Sequence, residues 1–185
     1  MAEAMLRGCL EQRDIVASVA SAGVVADGGG PSETAVQVMA ELGRPIADHR
    51  SRLLSAEIVA SSDLVIGLAR EHVREAALLV PGAYPRTFTL KELVRRGEEV
   101  GARGDDESFE MWLARLHVGR NTLMHLGASP DDDVEDPIGR RPAVYERVAD
   151  ELARLVDQFV DLAWGAEESP EPPDNAADPS ELAAT

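Results

Sequence analysis

Asp131-Asp132-Asp133-Val134-Glu135-Asp136-Pro137-Ile138-Gly139 is an acidic run that ends in a proline and a glycine, and a long helical pattern follows it. Like charges repel one another, and proline and glycine interrupt regular structure, so the run predicts a loop. Pro137 keeps the preceding residue out of the α region. Asp136 is therefore displayed in an extended or turn conformation just ahead of a helix, as a general acid must be. The same residues also fit a plain solvated surface loop.

The helix after this loop has the clearest pattern in the chain. Apolar residues step by three or four along residues 142–164, and Pro142 lies at the first turn, where proline is favoured. Ser32 and Gly43 are suitable cap residues for a second helix between them. The remaining helices are predicted at residues 1–13, 55–60, 71–80, 90–99 and 106–120.

Three segments between these helices predict strands. Ile15–Ala20 is a short apolar run, and Leu64–Ala69 is a continuous one, so both are typical of buried strands. Residues 86–90 alternate in polarity and contain β-formers, which indicates a short last strand. Because strands alternate with helices, the sequence predicts an α/β fold with a parallel sheet.

Composition narrows the class of protein. The 185 residues suffice for one domain with a real core, and the net charge of −16 argues against nucleic acid or an anionic membrane as a partner. A single cysteine excludes internal disulfides and favours the cytoplasm. We expect one domain over residues 1–166 and a disordered acidic, proline-rich tail over residues 167–185.

Five segments, in order along residues 1–164, resemble the low-molecular-weight protein tyrosine phosphatases, a family that includes arsenate reductases. The segments are Met1-Ala2-Glu3-Ala4-Met5-Leu6, Ser21-Ala22-Gly23, His49-Arg50-Ser51-Arg52, Asp63-Leu64-Val65-Ile66-Gly67-Leu68 and Val134-Glu135-Asp136-Pro137. The last of them resembles the family's Asp-Pro loop. The resemblance implies a three-layer α/β/α fold with a short parallel sheet.

The resemblance also implies roles for four residues. Asp136 matches the aspartate that protonates the leaving group and then activates water. Ser21 and His49 match a serine and a histidine that support the phosphate-binding loop by hydrogen bonds. Ile138 stands where the family often has an aromatic residue against the phosphotyrosine ring, and it implies an aliphatic substrate wall instead.

The family's nucleophile has no match in this chain. Its Cys-x5-Arg-Ser-Pro loop stands immediately before the segment matched by Met1-Ala2-Glu3, and the loop follows the central first strand of the sheet. Cys9 is the only cysteine, and the residue six positions later is Ile15 rather than arginine. Cys9 lies on the apolar face of its helix, so we predict that it is buried and acts as a small hydrophobic residue. We therefore expect the chain as written to lack the first strand and to be inactive.

Metal and cofactor chemistry is not expected. His49, His72, His117 and His125 have no metal-ligand spacing, and no glycine-rich nucleotide motif is present.

Three hypotheses follow from the sequence. The first is a phosphatase that, when complete, hydrolyses a phosphotyrosine protein or a small aryl phosphate through a phosphocysteine. The second is an arsenate reductase of the same fold. The third is a non-catalytic binding remnant.

Overall fold

A computed structural model of the chain describes residues 1–25 and 28–165. The predicted tail at residues 167–185 lies outside the described residues. The elements are α1 (Ala2–Gln12), α2 (Glu33–Glu41), α3 (Ala56–Ser61), β1 (Val65–Gly67), α4 (Arg70–Leu79), β2 (Thr87–Thr89), α5 (Leu90–Val100), α6 (Phe109–His117) and α7 (Pro142–Trp164), with 3₁₀ turns at Pro81–Arg86 and Thr122–His125.

β1 and β2 form a parallel pair in which Val65 lies opposite Thr87 and Gly67 opposite Thr89. The side chains around β1 alternate between two hydrophobic clusters. Leu64, Ile66 and Leu68 pack against the larger cluster, whereas Val65 packs against the smaller one. This alternation places helices on both sides of the sheet and confirms the α/β/α prediction.

The larger cluster lies between α7 and the helices α1, α2, α5 and α6. Phe109, Trp112, Phe159 and Trp164 form a chain of aromatic contacts with ring centroids 5.4 to 6.5 Å apart. The smaller cluster contains Val59, Ala76 and Ala83, on α3, α4 and the first 3₁₀ turn. The bounds of α7 agree with its apolar periodicity.

The prediction of a buried strand at Ile15–Ala20 is wrong. This segment forms no regular element, Val16 is fully exposed, and the nearest sheet contact is an isolated parallel bridge between Gly23 and Leu53. Within the described part of the chain, no amide of residues 16–22 donates a hydrogen bond to another backbone group. The apolar run forms no strand because no strand lies beside it to pair with.

A buried ionic cluster joins α5 to the segment after α6. Glu92 accepts hydrogen bonds from Arg120 at 2.7 and 3.0 Å, and its Oε2 lies 3.0 Å from His125 Nε2. The Arg120 guanidinium lies over the Phe88 ring, 3.8 Å from its centroid. Burial opposes ionisation of Glu92, but its bonds to His125 and Arg120 outweigh this effect and lower the pKa to about 2. The cluster therefore holds a carboxylate and an arginine in the interior as a pair.

Glu92→Gln should lower the free energy of unfolding at pH 7 by about 3–5 kcal/mol, because it leaves the buried Arg120 without its counter-charge. A folded-state pKa below the usual 4.5 means that Glu92 stabilises the fold above pH 4.5. That contribution disappears as the pH falls from 4.5 toward 2, so the difference between the two proteins should narrow there. Urea unfolding followed by circular dichroism measures both effects. Glu99→Gln, at an exposed position of α5, is the control, and an equal loss in both variants would contradict the prediction.

Candidate active site

A deep cleft of about 1720 Å³ runs beside the free edge of β1. Residues 16–24 line one side and residues 58–68 line the other, with apolar side chains of α1, α6 and α7 between them. Small-molecule pockets measure about 300–1,000 Å³, so the cleft is large enough for a segment of chain. β2 pairs with one edge of β1, and the opposite edge has no strand beside it in the described residues.

Both walls of the cleft present backbone groups that a strand could use. The amides of residues 16–22 make no backbone bonds among the described residues, and the wall opposite is the unpaired edge of β1. Unpaired backbone groups along an extended segment form a template for another strand. The cleft therefore lies between residues 16–24 and the unpaired edge of β1.

Ser21 and His49 meet at one end of this cleft through Glu3, near the start of α1. The Ser21 hydroxyl donates to Glu3 Oε2, and His49 Nδ1 lies 3.6 Å from the same oxygen. Arg7 donates to the other oxygen of Glu3. Burial opposes ionisation of Glu3, yet the hydrogen bonds from Ser21 and Arg7 lower its pKa. The two residues assigned to support of the phosphate loop are thus linked by one carboxylate.

The first turn of α1 lies beside this cluster and has no side-chain cap. Four amides at the start of a helix lack partners within it, and together with the helix dipole they favour an anion. The start of α1 therefore favours a negatively charged group.

The Asp136 loop attaches to the end of β1. The Val134 amide donates to the Leu68 carbonyl at 2.7 Å, two residues before Asp136. Asp136 is exposed, and its Oδ1 accepts from the Ile138 amide at 2.9 Å in a tight turn. Ile138 is also exposed, at 75%. The structure therefore presents the carboxylate at the carboxyl edge of the sheet, where ligands of parallel α/β folds bind.

Cys9 lies away from this edge, inside the larger cluster. It is buried, and its thiol donates to Asp157 Oδ1 at 3.3 Å. Burial and the hydrogen bond to Asp157 raise the pKa of the thiol to about 11. The thiolate, which is the nucleophilic form, is therefore suppressed. The prediction that Cys9 is a small buried residue is confirmed.

Sequence reasoning missed two participants in this region. The sequence indicated no role for Glu3 beyond that of a polar residue in a helix, because Ser21 and His49 come close to it only in the folded protein. Asp132 belonged to a run assigned as a solvated loop, but it is 4% exposed and contacts two arginines. The sequence does contain the arginines that bind Asp132, but they lie in other helices, and the pattern of residues along the chain does not show that they reach the loop.

No group of histidine, cysteine, aspartate or glutamate side chains in the described residues is placed to hold a metal ion. Over the same residues, no helix is both long and apolar enough to cross a membrane.

Comparison with known proteins identifies the family. The model of the family described as low molecular weight phosphotyrosine protein phosphatase matches residues 1–125. The chain belongs to this family. A curated relative of this phosphatase family member is the probable low molecular weight protein-tyrosine-phosphatase EpsP of Ralstonia solanacearum, which is 32% identical over 64% of the chain and 80% of the relative.

Two further relatives extend the match along the chain. The protein-arginine-phosphatase of Bacillus subtilis is 29% identical over 86% of the chain and 84% of its own length. The crystal structure of the low molecular weight protein tyrosine phosphatase of T. tengcongensis is 29% identical, covers 86% of this chain and 87% of that one, and has a TM-score of 0.62. These relatives carry phosphatase names, which does not favour the arsenate reductase hypothesis.

Proposed function

We propose that this family member is a phosphatase that hydrolyses phosphomonoesters through a phosphocysteine, with a central strand and a Cys-x5-Arg loop seated in the cleft. The cleft is the observation that supports the proposal most. It separates residues 16–22, whose amides donate to no other backbone group in the described part of the chain, from the unpaired edge of β1, and it adjoins α1, which has no side-chain cap. A parallel strand in this position would end at the same edge as β1, because parallel strands share a carboxyl edge.

The proposed strand would lead directly into α1 through the phosphate loop. A strand followed by a helix is the usual connection in a parallel α/β unit. Ser21, His49 and Glu3 would then flank the loop and hold its backbone by hydrogen bonds.

The proposed reaction has two steps. In the first, the loop cysteine thiolate attacks phosphorus, the bond from phosphorus to the leaving oxygen breaks, and Asp136 gives its proton to that oxygen. In the second, Asp136 removes a proton from water, which attacks the phosphocysteine and releases phosphate and the thiolate. The loop amides and arginine stabilise the negative charge on the phosphoryl oxygens in both steps.

The proposed substrate is a phosphotyrosine protein or a small aryl phosphate in the cytoplasm. Ile138 would supply an apolar contact for the aryl ring. One relative is named a protein-arginine-phosphatase. When phosphoarginine is hydrolysed, arginine is the leaving group, and its departing nitrogen must also be protonated. Phosphoarginine is therefore the comparison substrate.

The experiment supplies the proposed segment and measures turnover. The protein extended ahead of Met1 by its own upstream codons, or by a relative's strand and loop, is assayed with p-nitrophenyl phosphate, a phosphotyrosine peptide, phosphoarginine and arsenate. We expect hydrolysis of the aryl esters and no arsenate reduction. A folded extended protein without turnover on any phosphoryl substrate would refute the proposal and leave a non-catalytic binding protein.

His49→Ala in the extended protein should weaken inhibition by inorganic phosphate about 2- to 10-fold, the effect of losing one supporting hydrogen bond of about 0.5–1.5 kcal/mol. The Glu3 carboxylate would still bind Ser21, so part of the support remains. Competitive inhibition of p-nitrophenyl phosphate hydrolysis measures the change. Unaltered inhibition and full activity would remove His49 from the site.

A further inference from the structure

The segment ahead of Asp136 is fastened to the protein by its acidic side chains. Asp132 Oδ2 accepts from Arg70 Nε at 2.7 Å, and Arg70 Nη2 lies 2.7 Å from the same oxygen. Asp132 Oδ1 accepts from Arg95 Nη2 at 2.8 Å. The carboxylate is thus buried between two arginines, one at the start of α4 and one on α5. Charge-assisted bonds of this kind are about twice as strong as neutral ones.

Asp133 attaches the same segment to the N-terminal start of α4. Ala69, the residue that caps α4, has no side-chain oxygen to accept from the first amides of the helix. Asp133 Oδ1 instead accepts from the Arg70 amide at 2.7 Å, and its Oδ2 accepts from the Ser129 amide at 2.8 Å. A carboxylate at a helix N-terminus is favoured by the helix dipole. The loop therefore caps a helix from a distance of more than 60 residues in sequence.

Lys91 completes the attachment from α5. Its ammonium donates to the carbonyls of Asp133 at 2.8 Å and of Pro130 at 3.2 Å. Together with the backbone bond from Val134 to Leu68, these contacts fix the loop on three elements up to two residues before Asp136. Asp136 and Ile138 beyond them are exposed. The loop thus has a fixed base and an accessible tip.

We propose that Asp132 and Asp133 are positioning residues that hold Asp136 at the distance and orientation required for proton transfer. The inference rests on the proposed function, because it assigns a catalytic purpose to the attachment. A general acid acts only within about 2.6–3.2 Å of its partner, and a displacement of about 1 Å can cost about 10²-fold in rate. Arg70 and Arg95 act through Asp132 in the same way.

The loop attachment is tested first on the 185-residue protein. Asp132→Asn keeps the shape of the side chain but presents an amide donor to one of the two arginines. The Val134 amide should then exchange its hydrogen at least about tenfold faster, while amides in the centre of α7 keep their rates. Asp131→Asn is the matched control, because the Asp131 side chain is exposed and its carboxylate makes no hydrogen bond or ion pair with the described residues.

The positioning role is tested by leaving-group dependence in the extended protein. Phenolate is a much stronger base than p-nitrophenolate, so phenyl phosphate depends more on the general acid. Asp132→Asn should lower kcat/KM, which reports the step in which the leaving group departs, by about 10²-fold for phenyl phosphate and by less for p-nitrophenyl phosphate. Asp133→Asn should behave similarly, which covers the case in which Asp132→Asn does not fold.

The outcomes separate this inference from the proposed function. Unchanged exchange at Val134 in both variants would overturn the attachment whether or not the protein is active. Faster exchange with equal losses on both esters would show a purely structural role and overturn positioning. If the extended protein without substitutions shows no turnover, the proposed function is refuted, and so is the catalytic role of the loop attachment. The hydrogen-exchange result would still establish the attachment itself.

Discussion

Asp136→Asn in the extended protein should lower the turnover of phenyl phosphate by about 10²–10⁴-fold, the usual contribution of a positioned general acid. Asparagine keeps the side-chain oxygen that accepts from the Ile138 amide, so the turn at the tip of the loop is preserved. It has no proton of suitable acidity for the leaving oxygen. Initial rates at saturating substrate measure the effect directly.

The same substitution should leave the free energy of unfolding almost unchanged, within about 0.5 kcal/mol, because Asp136 is exposed and its hydrogen bond is to the nearby Ile138 amide. Asp131→Asn is the control for charge, since it removes one carboxylate from the same loop. Equal losses of activity in Asp136→Asn and Asp131→Asn would show that loop charge, rather than a positioned acid, affects the rate. That outcome would defeat the assignment of Asp136.

Seating a strand and phosphate loop in the cleft should have the largest effect of all, because it should restore both activity and cooperative unfolding. A central strand of about six residues with about four large apolar side chains contributes on the order of 6–12 kcal/mol of hydrophobic stabilisation. Whole domains are stable by only about 5–15 kcal/mol. The strand would also pair with residues 16–22 and with the free edge of β1. We expect the 185-residue protein to show little phosphatase activity and to unfold less cooperatively than the extended protein.

Serine in place of the added cysteine separates the two effects. This variant keeps the strand and loop, so it should unfold as cooperatively as the active extended protein, but it should lack turnover. Urea unfolding and p-nitrophenyl phosphate hydrolysis are measured on the same preparations. An extension that leaves unfolding no more cooperative than in the 185-residue protein would show that the cleft does not accept a strand.

Local chemistry made much of the fold predictable. The spacing of apolar residues predicted α7, because a single helix face needs only nearby residues to define it. Ser32 caps α2 as its residue type indicated, and its side chain accepts from the Ala35 amide. β1 and β2 followed from apolar and β-branched residues, and their parallel pairing followed from the helix between them.

The features that the sequence did not reveal depend on distant partners. Ile15–Ala20 has the composition of a strand, but a strand requires a neighbour to bond with, and none lies beside it in the described residues. Asp132 is of a residue type usually found at the surface, but it is bound by Arg70 and Arg95, which lie 62 and 37 residues away in the sequence. Neither circumstance is encoded in the residues on either side.

Hydrogen exchange at residues 16–22 tests the seating of a strand in the cleft most directly. The amides of these residues donate to no other backbone group in the described part of the chain, so they should exchange quickly in the 185-residue protein. In the extended protein that carries serine in place of the added cysteine, we predict exchange at least about tenfold slower at these amides, because the added strand supplies acceptors for them. Equal exchange rates in the two proteins would contradict a strand in the cleft.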